Sequence, residues 1–224
     1  MQVGIIYKKL ATIICLIYVI NKENTTMKQI FEITNKETIN EVLDNAEYGT
    51  LSICDNNTPY SLPINFVKLN EEICFHGSKK GKKIDIIKNN NLASFCVVKS
   101  YSIIQSYFSL NDKLACPATQ FFQSVIIDGK IQFVENYCEK VEILSQLMKK
   151  LQKEGRYKPL CEDIYKKMIN ATIVYKLIPT KTKAKFKFGQ NLSQEKFDNV
   201  IKHLKQRANH DDILTIKMMK GLKI

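Results

Sequence analysis

The chain has 224 residues, of which 45% are hydrophobic and 25% are charged, so we expect one domain with a sizeable core and short extensions. The 34 Lys and Arg residues outnumber the 22 Asp and Glu residues, and the formal net charge of +12 favours anionic partners. Because the lysines are spread along the whole chain, the pattern indicates a solvated basic surface and argues against a nucleic-acid patch.

The N-terminus contains an apolar run, Leu10 to Ile20, which follows Lys8 and Lys9. This run is too short for a transmembrane helix, which needs about 20 residues. It has the outline of a signal peptide, but no small-residue cleavage site follows it. We therefore expect residues 1–26 to be a dispensable extension before Met27 and expect no membrane partner, with a membrane anchor as the alternative.

The first helix is predicted just after this extension. Thr34-Asn35-Lys36-Glu37 has the form of a capping box, and apolar residues recur at helical spacing until Gly49 ends the pattern. Short β-prone runs follow, with turn residues between them. They cover residues 50–54, 60–69, 71–76 and 93–98.

The second half of the chain continues this mixture of strands and helices. Phe121 to Val134 is a longer β-prone run that is interrupted near Asp128-Gly129, which predicts a hairpin. Val141 to Leu151 has helical spacing, 171–178 is predicted as the last strand, and Ser193 to Leu204 as the last helix. Many short strands with few helices favour a closed antiparallel barrel over a βαβ fold.

The seven cysteines are scattered singly and form no C-x-x-C pair. This pattern is typical of a reducing compartment and predicts buried thiols rather than disulfides or a zinc site. We find no cluster of His, Cys and Asp with metal-ligand spacing, so no metal is expected.

The segment from Cys74 to Lys83 contains the most informative pattern in the chain. A β-prone run ends in a short turn with two glycines, one serine and four lysines, and an amphipathic helix follows. Glycines let backbone N–H groups approach an anion, a helix N-terminus adds favourable partial charge, and lysines supply positive charge. The segment predicts a phosphate site, although it matches neither a P-loop nor a Rossmann fingerprint, and a solvated lysine-rich turn is the alternative.

Two flanking segments extend this pattern. Thr58 to Val67 reads T-P-Y-S-L-P-I-N-F-V, and Gln123 to Gly129 reads Q-S-V-I-I-D-G. In this order, with F-H-G-S-K-K-G-K-K between them, the motifs resemble those of the pyridoxamine 5'-phosphate oxidase-like flavoproteins, and most closely the Nim-type 5-nitroimidazole reductases. The resemblance spans roughly residues 30 to 190. A weaker match is Lys185 to Asn191, before which Ala184 replaces the usual glycine.

The resemblance implies a fold and a set of cofactor contacts. The fold is the FMN-binding split β-barrel, a mainly β structure with helices (α+β). We expect this domain to cover residues 27–192, with a C-terminal helix and basic tail at 193–224. The residues that match the family's FMN contacts are Leu62, Pro63, Ile64, Asn65, Phe75, His76, Gly77, Ser78, Gly81, Lys82, Lys83, Gln123 and Ser124.

Within this set, the resemblance assigns different parts of FMN to different residues. Lys82 and Lys83 match the basic pair that holds the phosphate, and both are expected to face solvent when no ligand is bound. The strand 62–65 matches the one along the isoalloxazine ring. Ser124 matches a polar position that family members present from a partner subunit, so a homodimer is implied.

His76 has two possible roles. A lone histidine at a strand end is usually structural, but Nim-like relatives have a histidine beside the flavin at this point. Its near-neutral pKa suits hydrogen bonding or proton donation. We therefore predict a flavin contact and name it as the one candidate catalytic residue. Cys116 lies where Nim-like sequences often have a cysteine, and we expect a buried structural thiol there.

These expectations lead to two classes of function. The first is a cytoplasmic, homodimeric flavoprotein, an FMN-dependent oxidoreductase that acts on small molecules as nitroreductases do, with NAD(P)H as a possible electron donor. The second is a non-catalytic flavin- or haem-binding module or an FMN-binding transcriptional regulator. Oxidation of pyridoxamine 5'-phosphate itself is disfavoured, because that enzyme's arginine-and-histidine substrate motif is missing near the C-terminus. Fold alone does not choose between these classes.

Overall fold

The computed structural model describes residues 28–108 and 114–222, so the predictions for the N-terminal extension and for Cys15 lie outside the described residues. The described residues form eight strands and six α-helices. The strands are β1 (Glu32–Ile33), β2 (Gly49–Asp55), β3 (Thr58–Ile64), β4 (Val67–Leu69), β5 (Glu72–Gly77), β6 (Leu92–Ile104), β7 (Thr119–Val134) and β8 (Ile173–Lys187). The helices are α1 (Lys36–Asn45), α2 (Lys82–Asn89), α3 (Tyr137–Leu151), α4 (Lys166–Ala171), α5 (Gln194–Arg207) and α6 (His210–Leu222).

The strands form one antiparallel sheet in the order β3-β2-β6-β7-β8-β5-β4, and β1 adds to β8. The two strands at the ends of this order, β3 and β4, are consecutive in the chain and are joined by Asn65 and Phe66 alone. The sheet must therefore curl until its two edges meet. The predicted α+β class and the closed antiparallel arrangement are confirmed.

The inward faces of the strands fill the barrel with aromatic and branched side chains. Phe66 packs edge-on against Phe95, with 4.8 Å between ring centroids, and Phe75 stacks on Tyr175 at 5.1 Å. All four residues are at most 1% exposed. Helix α2 joins the same core through its buried isoleucines. These contacts fix the start of α2 relative to the end of β5, which is where the candidate phosphate turn lies.

Local turn chemistry explains why the strands begin and end where they do. Asn56 and Asn57 have φ angles of 46° and 67°, as a two-residue hairpin between β2 and β3 requires. Asn70 has φ 53° between β4 and β5. Asparagine tolerates this left-handed region better than most residues. The single run predicted over 60–69 is divided by Asn65 and the buried Phe66, so it forms two strands.

Several sequence-based predictions of local structure are wrong. Asn35, rather than Thr34, caps α1, and its side chain accepts from the backbone N–H of Thr38 at 2.8 Å. The hairpin predicted over 121–134 is one continuous strand, β7. The pairing of β7 with β8 shifts at Asp128 and Gly129, and a side chain on Gly129 would collide with the backbone carbonyl of Ile178. The glycine therefore marks a strand irregularity and a close backbone approach, not a turn.

The C-terminus and the cysteines also differ from the predictions. Ser193 caps α5 as predicted, but the expected basic tail contains a further helix, α6. No disulfide forms among the six cysteines described. Cys74 is buried, whereas Cys116, Cys138 and Cys161 are exposed, so the prediction of buried thiols, including the one at Cys116, is wrong for these three.

Candidate functional site

The turn between β5 and α2, residues 77–83, is called the lysine turn below. Gly81 is the N-cap of α2 and has φ 118° and ψ 166°, a conformation that only glycine adopts readily. Its carbonyl accepts from the N–H groups of Ile84 at 3.1 Å and Asp85 at 3.3 Å. The helix therefore begins at Lys82, and the backbone N–H groups of Lys82 and Lys83 have no partner within the helix. This geometry favours an anion at the open end of α2.

The four lysines of this turn differ in their surroundings. Lys79 and Lys80 are exposed, and the backbone N–H of Lys80 donates to the hydroxyl of Ser78 at 3.2 Å. Lys82 is also exposed, but its ammonium lies 4.9 Å from the ring centroid of Tyr60 on β3. Lys82 therefore links the turn to the strand that was predicted to follow the flavin ring.

Lys83 does not face solvent as expected. Its ammonium lies 5.1 Å from the ring centroid of Tyr175 and 5.9 Å from that of Phe75, and burial lowers the pKa of Lys83. The prediction that both lysines of the pair face solvent is therefore wrong for Lys83. The reason is the missing side chain of Gly77: a Cβ there would lie 2.5 Å from the Lys83 ammonium.

His76 and Phe75 lie on opposite faces of β5. Phe75 points into the barrel and is 0% exposed, so only its backbone can reach a ligand. His76 points outward and is exposed. The pKa of His76 is lowered, first by loss of water around part of the ring and second by the charge of Lys83. The imidazole is consequently neutral at neutral pH, and it makes no hydrogen bond to any described residue.

The predicted ring-lining strand presents only part of its side chains to the outside. Leu62 and Ile64 pack against the core, whereas Pro63 and Asn65 are exposed. Pro63 begins an outward row of paired residues that crosses four strands. The row consists of Pro63, Thr50, Cys96 and Ile126.

This row borders a groove of about 480 Å³, which is called the outer groove below. One side of the groove is formed by the end of α1 and the start of β2, and the other side by the middle of β6. Its lining residues fall in two segments, 45–50 and 96–100. Tyr48 and Val98, each 60% exposed, are the large apolar side chains in this lining. The groove can therefore hold a flat apolar group against the outside of the barrel.

Gln123 and Ser124 lie apart from the lysine turn within one chain. Both are buried, and Gln123 accepts from the hydroxyl of Tyr101 at 3.1 Å. Ser124 pairs with Val98 of the outer groove. Ser124 lies about 30 Å of extended strand away from Val134 on β7. Val134 pairs with Val174 on β8, and Val174 also pairs with His76, next to the lysine turn. The predicted residues thus form two groups, one at the lysine turn and one beside the outer groove.

Several residues at these two places were not predicted from the sequence. Tyr60 stood inside a quoted motif, and its aromatic ring beside two prolines was the only available signal for a contact with Lys82. Tyr175 lies in an ordinary apolar strand, and no local pattern singles it out. The outer groove depends on the strand order β2-β6, which brings Thr50 and Cys96 together from distant parts of the sequence.

Two other classes of site, a metal centre and a membrane-spanning helix, are absent from residues 28–108 and 114–222. No group of three or more His, Cys, Asp or Glu side chains there is placed to hold a metal ion. None of the helices in these ranges combines the length and apolarity needed to cross a membrane.

Known proteins are similar to most of the part of the chain that the structure describes. The family model described as "Pyridoxamine 5'-phosphate oxidase" matches residues 35–186. No protein of curated function matches the sequence. Among solved structures, a candidate 5-nitroimidazole antibiotic resistance protein from Bacteroides thetaiotaomicron has 21% identity and a TM-score of 0.56, with 69% of this chain and 85% of that chain covered.

Two further solved structures have the same level of similarity. The flavocytochrome Anf3 from Azotobacter vinelandii has 20% identity and a TM-score of 0.57, with 73% of each chain covered. An FAD and haem binding protein from Mycobacterium smegmatis has 18% identity and a TM-score of 0.55, with 69% of this chain and 72% of that chain covered. At these identities the likeness shows a shared fold, and the predicted split β-barrel is confirmed.

Proposed function

The chain belongs to the pyridoxamine 5'-phosphate oxidase family, and from this we propose that it is a flavoprotein that binds FMN with the phosphate at the lysine turn. The observation that carries the proposal is the convergence of unpaired cations and helix N–H groups at one place. Lys82 and Lys83 stand at the first two positions of α2, where the N–H groups point out of the helix.

The charge balance of this turn fits a phosphate. No carboxylate of the described residues forms a salt bridge with Lys82 or Lys83. Lys83 is half-buried, and an unpaired buried ammonium is costly in free energy. A phosphate group carries about two negative charges and accepts several hydrogen bonds, so it would compensate both lysines at once.

The remainder of FMN has a path from the turn to a flat surface. Lys82 lies over Tyr60, and Pro63 is about 10 Å further along the same strand with its side chain on the opposite face, so the cofactor would pass around the edge of β3. A ribityl chain spans a gap of this size. The isoalloxazine ring would then lie against Pro63 and Thr50 at the edge of the outer groove. Leu62 and Ile64 would support the ring from behind through the core.

We also propose that the protein is a homodimer that pairs through the outward face of β6 and β7. This face exposes Val98 and Ile126, which are 60% and 39% exposed and lie next to Ser124. Burying such a patch against a second copy is favourable. It would bring Ser124 of one copy towards the ring held by the other, as the family resemblance implies.

The proposed reaction is the reduction of small electrophilic molecules, including nitroaromatic compounds, with NAD(P)H as electron donor. Bound FMN would supply hydride and single-electron transfer. In support, the fold is shared with a candidate 5-nitroimidazole resistance protein. Neutral His76 can orient the cofactor by hydrogen bonding. The free thiols fit the reducing conditions of the cytoplasm, where we place the protein.

A second candidate function is a non-catalytic module that binds haem or flavin. It is favoured by the shared fold with a flavocytochrome and with an FAD and haem binding protein. Exposed His76 is the described residue that could serve as a haem ligand near the lysine turn. An FMN-binding regulator would use the same cofactor site without turnover.

One experiment separates these functions. The full chain is purified, its absorption spectrum is recorded, and the molecule that is released on denaturation is identified by mass. Flavin bands with release of FMN support the proposal, and bleaching of these bands by NADH or NADPH supports the reductase. A haem absorption band would favour the module. A colourless protein that does not bind added FMN would refute the proposal.

A further inference from the structure

The hydroxyl of Tyr175 is a polar group without a partner inside the barrel. Tyr175 is 0% exposed, and its oxygen forms no hydrogen bond with any described residue. Burial of an unsatisfied hydroxyl costs about 1–3 kcal/mol, and most buried polar groups avoid this cost. Phenylalanine would fill the same space without this cost, so we infer that the hydroxyl has a function.

The surroundings of the ring show where the hydroxyl lies. The ring stacks on Phe75 and is tilted against Phe133 at 5.5 Å, which fixes its plane. A Cβ on Gly77 would lie 3.5 Å from Cε2 of Tyr175, the ring carbon next to the one that carries the hydroxyl. The hydroxyl end of the ring therefore lies beneath the first residue of the lysine turn.

The ammonium of Lys83 approaches the same point. It would lie 2.5 Å from that same Cβ position, and it is 5.1 Å from the ring centroid of Tyr175. Burial raises the pKa of Tyr175 to about 12, so the phenol stays protonated and can donate. Two donors thus converge under Gly77. No described carboxylate forms a salt bridge with Lys83, so the place suits an anion.

We propose that the Tyr175 hydroxyl and the Lys83 ammonium form the inner wall of an anion pocket under Gly77, with the terminal phosphate of the flavin as its ligand. This inference rests on the proposed function and adds Tyr175 to it as a binding residue. When the phosphate enters, the Lys83 ammonium leaves the aromatic rings and the hydroxyl donates its first hydrogen bond. The entrance is the space beside Gly77, which has no side chain, and the Lys83 ammonium occupies this space until the phosphate enters.

The test compares two flavins that differ in the phosphate alone. Affinities of the full chain for FMN and for riboflavin are measured by fluorescence titration, in the natural protein and in Tyr175→Phe. We expect Tyr175→Phe to bind FMN about 10- to 100-fold more weakly, the range for one hydrogen bond to a charged group, and riboflavin equally well. Tyr107→Phe, an exposed tyrosine beside His203, should change neither affinity.

Melting of the ligand-free protein gives an independent readout. Because Tyr175→Phe removes an unpaired buried donor, we expect its melting temperature to be unchanged or higher. A lower melting temperature, together with equal loss of FMN and riboflavin binding, would show a structural hydroxyl and overturn the proposal. Unchanged FMN affinity in Tyr175→Phe would overturn it as well.

Pyrophosphate separates this inference from the proposed function. If the natural protein binds neither flavin, the proposed function fails. The anion pocket is then tested on its own: pyrophosphate is titrated into the protein, and the NMR signal of the Lys83 ammonium is followed. A shift in the natural protein that is weakened in Tyr175→Phe supports the anion pocket. Absence of a shift in the natural protein refutes it.

Discussion

Arg207 and Asp212 form a two-point ion pair where α5 meets α6. Nε of Arg207 donates to Oδ2 of Asp212 at 2.8 Å, and Nη2 donates to Oδ1 at 2.5 Å. Asp212 is 0% exposed. The pair links the two C-terminal helices across the turn at Ala208, which adopts a left-handed φ of 50°.

The same carboxylate connects α6 to the barrel. The hydroxyl of Ser102 on β6 donates to Oδ1 of Asp212 at 2.5 Å, and the hydroxyl of Thr215 donates to Ser102 at 2.9 Å. Nη1 of Arg207 donates to the carbonyl of Ile103 at 3.1 Å. Ser102, Thr215 and Asp212 are all buried. This network anchors the C-terminal helices to the strand that also lines the outer groove.

We expect Asp212→Asn to lower the free energy of unfolding by about 2–4 kcal/mol. The change leaves Arg207 without its anion and weakens the acceptor for Ser102, and breaking a buried, hydrogen-bonded charge pair costs this much. The measurement is urea unfolding of the full chain. Asp211→Asn, a change of the same kind at the exposed neighbour, should cost less than about 0.5 kcal/mol. Equal stability of both variants would contradict the role of the network.

The pH dependence of this variant provides a second check. The Arg207 hydrogen bond lowers the pKa of Asp212, with Ser102 also lowering it against the opposing effect of burial. The folded protein therefore holds the charged form more tightly than the unfolded chain does. The resulting stability is present above the ordinary value of 3.8 and is lost as the pH falls through the folded pKa. Asp212→Asn should lack this acid-dependent loss.

Helix α6 was not predictable from the sequence, for a physical reason. The apolar residues Ile213, Leu214, Ile216, Met218 and Met219 surround the helix instead of forming one stripe, so no helical period is visible. The charged residue that secures the helix, Asp212, reads as a surface group. Its burial depends on Ser102, which is more than a hundred residues away in the chain.

The lysine turn was predictable because its chemistry is local. Gly81 and the run of lysines identify a helix start that favours anions, and both are visible in ten residues of sequence. The position of Lys83 was not predictable, because it depends on Tyr175, which β5–β8 pairing brings opposite Phe75. In the same way, Gly129 indicated an irregularity correctly, but only the partner strand shows that β7 continues through it.

We expect the pKa of His76 to lie below its ordinary value of 6.5 and to rise when Lys83 is replaced by Met. Loss of water lowers this pKa first, and the Lys83 charge lowers it further, so removing that charge restores part of the shift. NMR titration of the imidazole measures both values. Lys82→Met is the matched control and should have the smaller effect. An unchanged pKa in Lys83→Met would show that Lys83 does not act on the imidazole.

We expect His76→Ala to lower flavin occupancy and to leave the rate per bound flavin nearly unchanged. A neutral imidazole with a lowered pKa is a poor proton donor, which favours an anchoring role. Occupancy is measured by absorbance and the rate by NADPH oxidation with a nitroaromatic substrate. Normal occupancy with a rate loss of about 10²-fold or more would instead identify His76 as a general acid. Normal occupancy and normal rate would remove it from both roles.

The central claim is that the lysine turn holds the phosphate of FMN through Lys82 and Lys83. Its most direct test is the FMN affinity of Lys82→Ala/Lys83→Ala compared with Lys79→Ala/Lys80→Ala, which loses the same charge from the same turn. Two charge-assisted contacts contribute about 1.5–3 kcal/mol each, so we expect the first variant to bind FMN at least about 100-fold more weakly, and the second to bind nearly as tightly as the natural protein. Equal affinities of the two variants would contradict the claim.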